Sequence, residues 1–353
     1  MYPPTDSTEK LALSAGRYFP PTRSGLRLGL GGAAIGNLFS AVTDAEARAV
    51  VDAALADGCA TFDTAPHYGQ GLSEHRLGSA LRGLSRDSFA LSSKVGRVLV
   101  ADSSAPREQN SYVDVLPFSQ QWDYSAAGVR RSVEDSLQRL GMSRLDAVYV
   151  HDCDRHCHPD RYAGVLQQVI REALPELQRM KREGLVRAIG LGVNDVEVCL
   201  DVLAAADLDV LMLAGRYSLL DHSGLDLLLP LCSERGVRVA LGGVFNSGIL
   251  ATGTRSGNGA PMFNYAAAPA AWIERTQKLE ALCELHGVPL RAAALQFPLA
   301  HPAVEIVMLG ARKVSEWQDA MKMMQHPIPS AFWEALRRDL LVPEAAPLPG
   351  LLA

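Results

Sequence analysis

Short apolar runs of strand length alternate with longer segments of helical period along almost the whole chain. The runs cover 28–34, 59–63, 89–94, 145–151, 186–192, 210–213, 237–241 and 304–309. Between them the apolar residues recur at helical intervals, as Val129, Val133, Leu137 and Leu140 do in 125–140. Thr43 and Asp44 open the first helix with a capping oxygen and an early acid, and Gly58 closes it. Gly141, Gly184, Gly236 and Gly287 stop later helices in the same way. Parallel neighbours need long crossovers, so this rhythm predicts a parallel sheet with helices outside it. An open doubly wound sheet and a closed barrel both satisfy that pattern. Eight runs, with a helix after nearly every one, favour the α/β (β/α)8 TIM barrel. No linker, low-complexity tract or shift in composition divides the 353 residues. A single domain is expected: a barrel over 28–326, an N-terminal extension over 1–27, and a C-terminal tail over 327–353 packing on the barrel.

Hydrophobic residues make up 48% and charged residues 21%, ample for a large core. A net charge of -5 leaves no basic footprint for nucleic acid or anionic lipid. The first ten residues lack the charged-then-apolar pattern of a secretory leader, and no apolar run approaches the ~20 residues that span a bilayer. Six cysteines are scattered at 59, 153, 157, 199, 232 and 283, four of them within apolar segments. They read as reduced core residues of a cytoplasmic protein. The expected partner is a small molecule, with neither nucleic acid nor membrane, and the sequence carries no signal for oligomeric state.

Two stretches, 95–123 and 245–269, are too long for simple turns. Both follow the C-terminal end of a strand, the face where a barrel keeps its active site. Near the start, Gly29-Leu30-Gly31-Gly32-Ala33-Ala34 fits the G-x-G-x-x-A form of a dinucleotide fingerprint. That mechanism needs the glycine turn to open directly into a helix. Here the helical signal starts only at Thr43, after Gly36, Asn37 and Ser40. The segment reads instead as a glycine-rich first strand and turn that lets something pack close to the backbone at the barrel mouth.

The chemistry concentrates at three consecutive strand ends. The second strand ends in Asp63, followed five residues later by Tyr68 in a loop bracketed by Pro66 and Gly69. The third ends in Lys94 and the fourth in His151-Asp152. In a barrel these tips converge on one pocket. Paired there, Asp63 and Lys94 would leave a positive field that lowers the Tyr68 pKa from near ~10, each unit being worth ~1.4 kcal/mol. A phenol so tuned exchanges a proton with a carbonyl or hydroxyl oxygen, and the imidazole of His151 hydrogen-bonds the same oxygen. The plain structural alternative is a buried ion pair with Tyr68 and His151 satisfied in the core.

The pattern F-D-T-A-x-x-Y-G, the strand-end lysine and histidine, and G-L-V-R-A-I-G-L-G-V-N-D resemble the aldo-keto reductase superfamily over about 28–324. F-D-T-A-P-H-Y-G-x-G-x-S-E, W-D-Y-S, H-D-C-D-R-H, A-G-R-Y-S-L-L-D and G-G-V-F-N-S-G-I-L resemble its D-threo-aldose 1-dehydrogenase branch, which includes L-fucose dehydrogenase and pyridoxal 4-dehydrogenase relatives. The resemblance implies a TIM barrel that binds NAD or NADP without a Rossmann domain. It implies a catalytic tetrad of Asp63, Tyr68, Lys94 and His151, with Tyr68 as acid/base, Lys94 lowering its pKa, Asp63 partnering Lys94 and His151 orienting the substrate oxygen. Hydride would pass directly between nicotinamide and substrate carbon.

The same resemblance places Asn194 at the nicotinamide carboxamide, although Val193 replaces the family's serine, and Arg216 where a glutamine is usual. Gly242, or Leu241 if the alignment slips by one, falls where many members stack an aromatic ring. Phe245, Asn246, Ser247 and Gly248 would approach the pyrophosphate, and Gly32 belongs to the cofactor set at the mouth. Gly310, Arg312 and Lys313 match the adenosine-phosphate segment, with Gln318 and Asp319 near adenine and Ala320 in place of an asparagine. Arg312 and Lys313 suit a 2′-phosphate, yet a solvated pair fits equally, so NAD and NADP both stay open. His67, Trp122 and Tyr124 are the expected pocket wall for a sugar or pyridine ring, with Asp152 bonding hydroxyls. Trp122 reads equally as a loop anchor on the barrel rim.

The run His151 to His158 is dense in metal-ligand types, but His151 already has a role and Arg155 adds a positive charge, so no metal is expected. Cys153 as a nucleophile lacks an assigned base. The favoured reaction is oxidation of an aldose at its anomeric hydroxyl to the lactone. The alternatives are pyridoxal oxidation or general aldehyde reduction, and a non-catalytic nucleotide-sensing subunit resembling the potassium-channel β-subunits.

Overall fold

Runs rich in Val, Leu and Ile become strands buried on both faces, as a parallel sheet covered by helices requires. A computed structural model describes residues 17–255 and 260–351. Its strands are β1 (Leu28–Gly31), β2 (Thr61–Asp63), β3 (Ala90–Val95), β4 (Arg97–Ala101), β5 (Phe118–Trp122), β6 (Leu145–His151), β7 (Val186–Val193), β8 (Val210–Ala214), β9 (Arg238–Gly242), β10 (Met262–Phe263), β11 (Ala266–Ala267) and β12 (Val304–Gly310). Eight of them close a parallel barrel in the order β1, β2, β3, β6, β7, β8, β9, β12 and back to β1. The eight sequence runs are these eight strands, and the (β/α)8 barrel is the fold. The first run stops at Gly31 rather than at 34, and the second starts at Thr61 rather than at 59.

The covering helices are α1 (Asp44–Ala56), α2 (Leu72–Leu81), α3 (Ala126–Leu140), α4 (Tyr162–Gln168), α5 (Leu174–Arg182), α6 (Val196–Leu203), α7 (Leu228–Arg235), α8 (Ile249–Thr252), α9 (Ala270–His286), α10 (Leu290–Gln296), α11 (Val314–Gln325) and α12 (Ser330–Arg338). Thr43 and Glu46 form a reciprocal capping box at the start of α1. Gly141, Gly236 and Gly287 end α3, α7 and α9 in the left-handed region, as their positions predicted. One feature has no sequence counterpart: a π-helical turn, Val169–Ala173, joins α4 to α5.

The glycine-rich start of the chain has a packing role. A Cβ on Gly29 would lie 2.6 Å from Met308 Sδ, and one on Gly32 would lie 2.4 Å from Ser73 Oγ. After β1 the chain makes a short 3-10 turn, Ala34–Gly36, and α1 opens only at Asp44, so no helix rises from the glycine turn. The dinucleotide-fingerprint geometry is absent from this segment.

Of the two long stretches, 95–123 is mostly an antiparallel hairpin, β4 paired with β5, standing on the rim next to β3. The stretch 245–269 contains α8 and the two-residue pair β10–β11, with 256–259 outside the described residues. At the opposite end of the barrel Phe19 packs with Tyr149, Val210, Met212, Ile306 and Met308. The backbone N–H groups of Tyr18 and Phe19 both donate to Glu305 Oε1 at 2.9 Å. Residues 1–16, including the segment read for a leader, lie outside the described residues. In the C-terminal segment α12 buries Phe332 and Trp333, and Phe332 meets His286 of α9 edge-on. Among the described residues no helix is long and apolar enough to cross a membrane.

Strand contact is tightest where β7 meets β8. A Cβ on Gly190 would lie 1.6 Å from the carbonyl oxygen of Val210, a backbone atom that has no rotamer to change. Gly190→Ala is therefore expected to destabilise the protein by about 3 kcal/mol or more. Gly164→Ala, with open space around the added methyl, should be neutral or stabilising by up to ~1 kcal/mol. Denaturant melts of the two variants against the parent check this.

Candidate active site

The barrel register brings the strand-end residues together. Asp63 pairs with Ser92 across β2–β3, Lys94 with Tyr149 across β3–β6, and His151 with Gly192 across β6–β7. Lys94 Nζ lies 2.6 Å from Asp63 Oδ2 and donates to the Thr64 carbonyl at 2.9 Å. Ser92 Oγ donates to the other oxygen of Asp63 at 2.7 Å. Both partners of this ion pair are buried. Burial pushes the Asp63 carboxyl up from the ordinary range, and Lys94 and Ser92 pull against it.

Tyr68 follows in the β2–α2 loop. The loop after β1 crosses it closely: a Cβ on Gly36 would lie 2.9 Å from the Tyr68 carbonyl. Lys94 Nζ lies 4.6 Å from the centre of the Tyr68 ring, and the His151 ring stands edge-on to Tyr68 at 6.1 Å between centroids. The four expected side chains therefore meet at one end of the barrel. The expected pKa is corrected, however. Burial first, and then the charge of Asp63, push the Tyr68 phenol well above 10, while Arg97 pulls it down. Lys94 faces the ring, and its charge is met by Asp63. The His151 imidazole is held well below its ordinary value by burial and then by Lys94 and Arg97. It is neutral at pH 7.

The β4–β5 hairpin supplies residues that sequence reasoning missed. Tyr112, buried between its strands, stacks on Tyr68 at 5.9 Å and meets His67 edge-on at 5.2 Å. Gln120 Oε1 lies 3.0 Å from His67 Nδ1 and 3.2 Å from Arg97 Nη1. Arg97 Nη2 donates to Asp152 Oδ2 at 2.5 Å. The run Arg97-Val98-Leu99-Val100, with β-branched valines at alternate positions, is the available signal, a strand pattern shortly beyond Lys94. His67 and Asp152 are half-buried beside the tetrad. Trp122 is an anchor on the rim, with the Arg97 guanidinium 3.8 Å from its ring centre and the His158 ring 4.4 Å away, edge-on. Tyr124 is corrected: it is buried and not on the wall, with its hydroxyl within hydrogen-bond distance of the His151 carbonyl at 2.8 Å and of His158 Nε2 at 3.0 Å.

The residues assigned to cofactor divide in two. Near β7–β9, Arg216 donates to the Asn194 carbonyl, to Asp221 and to Asn264, at 2.6, 2.7 and 2.6 Å. Asn246 is buried and stitches two loops together, bonding the Gly215 carbonyl and the Ser218 hydroxyl. Ser247 Oγ accepts from the Tyr265 N–H at 2.9 Å. Tyr265, also missed, hydrogen-bonds the Asn194 side chain and touches Phe39 from the β1 loop across the mouth. Gly242 is half-buried and Phe245 partly buried, and the side of Gly248 is open. Gly32 is corrected to a packing position against Ser73. On the other side Gly310, Arg312 and Lys313 are exposed where α11 begins, and Arg312 Nη1 donates to Ser40 Oγ at 3.2 Å. Gln318 is exposed, and Asp319 pairs with Arg291 at 2.8 Å. Exposed cations at a twelve-residue helix N-terminus suit a phosphate-bearing cofactor.

Asp152, Asp154 and Cys157 place ligand-type atoms within 4.8 Å of one another. Asp152 already pairs with Arg97, and burial pushes the Cys157 thiol up to about 12. Cys153 is fully buried with its thiol pushed up further, which argues against a nucleophile.

The sequence model of the Aldo/keto reductase family matches residues 27–338. The chain belongs to this family. It is 39% identical to the pyridoxal 4-dehydrogenase of Microbacterium luteolum over 325 residues, 89% of this chain and 94% of that protein. It is 37% identical to the D-threo-aldose 1-dehydrogenase of a Pseudomonas species over 344 residues, 96% of this chain and 99% of that protein. The glycerol dehydrogenase of Gluconobacter oxydans shares the fold, with a TM-score of 0.69 at 23% identity over 93% of this chain and 95% of that one. This aldo/keto reductase is thus an oxidoreductase of a family that uses NAD(P)(H).

Its buried pair makes a stability prediction. Lys94→Met leaves the Asp63 carboxylate buried and uncompensated, which should cost about 3–5 kcal/mol. Adding Asp63→Asn to that variant should recover a large part of the loss, read by denaturant melts of the single and double variants.

Proposed function

We propose that this aldo/keto reductase oxidises an aldose of the D-threo or L-fucose type at C1 to its lactone, with NAD or NADP as oxidant. The observation that carries the reading is the meeting of Asp63, Lys94, Tyr68 and His151 at one barrel mouth. The resemblance to D-threo-aldose 1-dehydrogenase along nearly its whole length supports the substrate class. Bound in oxidised form, the nicotinamide supplies the hydride acceptor and a positive charge that favours tyrosinate. Once its own proton has passed to solvent, Tyr68 would take the proton of the anomeric hydroxyl while the C1 hydrogen leaves as hydride to that acceptor, so the C1–O bond becomes the lactone carbonyl. Neutral His151 donates to, or accepts from, the same oxygen and fixes its position. Asp63 holds Lys94 under the Tyr68 ring. His67 and Asp152 face the sugar hydroxyls, with Trp122 behind them. Asn194, Arg216, Gly242, Phe245, Ser247 and Gly248 take one end of the cofactor, and Gly310, Arg312, Lys313, Gln318 and Asp319 the other.

Pyridoxal is the second reading, favoured by the 39% identity to pyridoxal 4-dehydrogenase. Its hemiacetal offers the site a similar C–O–H. Six free cysteines, five of them buried, support a cytoplasmic setting.

Initial rates with L-fucose, D-arabinose, L-galactose and pyridoxal, each with NAD and NADP, test the proposal. Turnover of an aldose above pyridoxal is expected. Cofactor binding without turnover of any sugar or aldehyde would overturn it in favour of a nucleotide sensor. Tyr68→Phe should leave cofactor affinity nearly intact and lower turnover at least ~100-fold. Because the resting phenol is held protonated, kcat for oxidation should rise with pH while kcat for aldehyde reduction falls. Paired pH–rate profiles check the sign.

A further inference from the structure

Arg97 opens β4, directly across from Trp122 in the hairpin register. Its guanidinium stacks on that indole at 3.8 Å, and its side chain is only 11% exposed. Stacking fixes the plane of the fork, so its two terminal nitrogens have fixed directions. Nη2 donates to Asp152 Oδ2, which packs against His151 with 3.6 Å to Nε2, beyond hydrogen-bond distance. Nη1 donates to Gln120 Oε1, which lies 3.0 Å from His67 Nδ1. The two imidazoles are themselves edge-on at 5.7 Å. One guanidinium thus reaches both histidines of the pocket, each through one intermediary.

We propose that Arg97 is a positioning residue for the reaction, fixing with its two terminal nitrogens the amide that is hydrogen-bonded to His67 and the carboxylate that packs beside His151. The role rests on the reading that His151 steers the reacting oxygen. Two further observations support it. Asp152 sits at φ 47, a left-handed backbone that aspartate adopts more readily than most residues but still at some cost, which an outside tether offsets. The Arg97 ion pair is such a tether. The second observation is electrostatic. The charged groups facing the two imidazoles are Lys94 from β3, Arg97 from β4 and Asp152 beyond β6. Burial is the larger cause of their low pKa values, His67 falling to about 4, and the Arg97 charge acts in the same direction on both. A neutral imidazole keeps one donor and one acceptor nitrogen, and the bonds it makes set which is which. Lysine in this place would keep the charge but could not span two acceptors in one plane.

The test compares Arg97→Met, Arg97→Lys and the parent in three measurements: titration of NAD(P)H by fluorescence, kcat and KM for an aldehyde that the parent reduces, and imidazole titrations of His67 and His151 by NMR. In Arg97→Met, cofactor affinity should hold, kcat should fall about 10- to 100-fold, and both histidine titrations should move to higher pH. In Arg97→Lys, kcat should fall while the titrations stay near those of the parent, because charge is kept and the fork is lost. Parental kcat in either variant overturns the proposal. So does a loss of kcat that is accompanied by equal loss of cofactor binding and of melting temperature. If Arg97→Met does not fold, the kcat of Arg97→Lys decides. The imidazole titrations need no substrate, so a protein that reduces no aldehyde would refute the proposed reaction while the geometry of the fork is still read from them.

Discussion

The ion pair of Asp63 and Lys94 is the constraint around which the mouth of the barrel is organised. Its ends belong to adjacent strands, so it locks β2 to β3 at the level where the active site begins. A buried pair is poor evidence of net stability, because desolvating two ions can cancel their attraction. Here each ion has further partners: Ser92 on the carboxylate, the Thr64 carbonyl on the ammonium, and the faces of Tyr68 and Tyr149 around Nζ. Those rings and hydrogen bonds are what make the burial tolerable. They also place Tyr68, since the cation that holds Asp63 is the floor beneath its ring.

The two ends of the barrel answer the same geometric problem differently. At the closed end the interior is filled with apolar side chains, and Phe19 finishes the packing. At the open end the interior is filled with charged and aromatic groups, among them the Asp63–Lys94 pair, Tyr68, Tyr112, His67 and His151. A barrel built only from the eight strands would leave that end exposed to water. The β4–β5 hairpin covers part of it, with Tyr112 buried against Tyr68, while Tyr265 and Phe39 approach each other with both rings largely exposed. Burial of the groups beneath the hairpin strengthens the electrostatic interactions among them.

The barrel was legible because each strand is a dense apolar run with a glycine or polar break at its end. The limits of β6 follow the pattern residue for residue, whereas β1 is shortened because Gly32 turns away to pack on Ser73. Asp63, Lys94 and His151 were legible for a related reason: burying an ionisable group is costly, so one that closes an apolar strand must have a partner or a task. The hairpin was not read, although Arg97–Val100 has strand character, because a loop of that length has no period to mark where it turns. Tyr112, Gln120 and Arg97 were lost with it. Tyr124 reads as pocket wall from its place in the long loop after the third strand, but which aromatic residue of a loop faces a pocket depends on its register, and Tyr124 turns inward to the His151 carbonyl.

The Tyr68 phenol shows where charge counting alone fails. A lysine beside a tyrosine suggests a lowered pKa, but Lys94 is neutralised by Asp63 and meets the ring rather than the oxygen, while the phenol has lost much of its water. Desolvation disfavours the tyrosinate and the Asp63 carboxylate adds to it, so burial decides the sign. A site of this kind holds the proton until another positive charge enters. Arg97 is the cation already acting in that direction from the hairpin, and it is committed to Asp152. On the reaction proposed above, the resting phenol would serve as an acid, and its proton would leave more readily once a positively charged nicotinamide ring stood beside it.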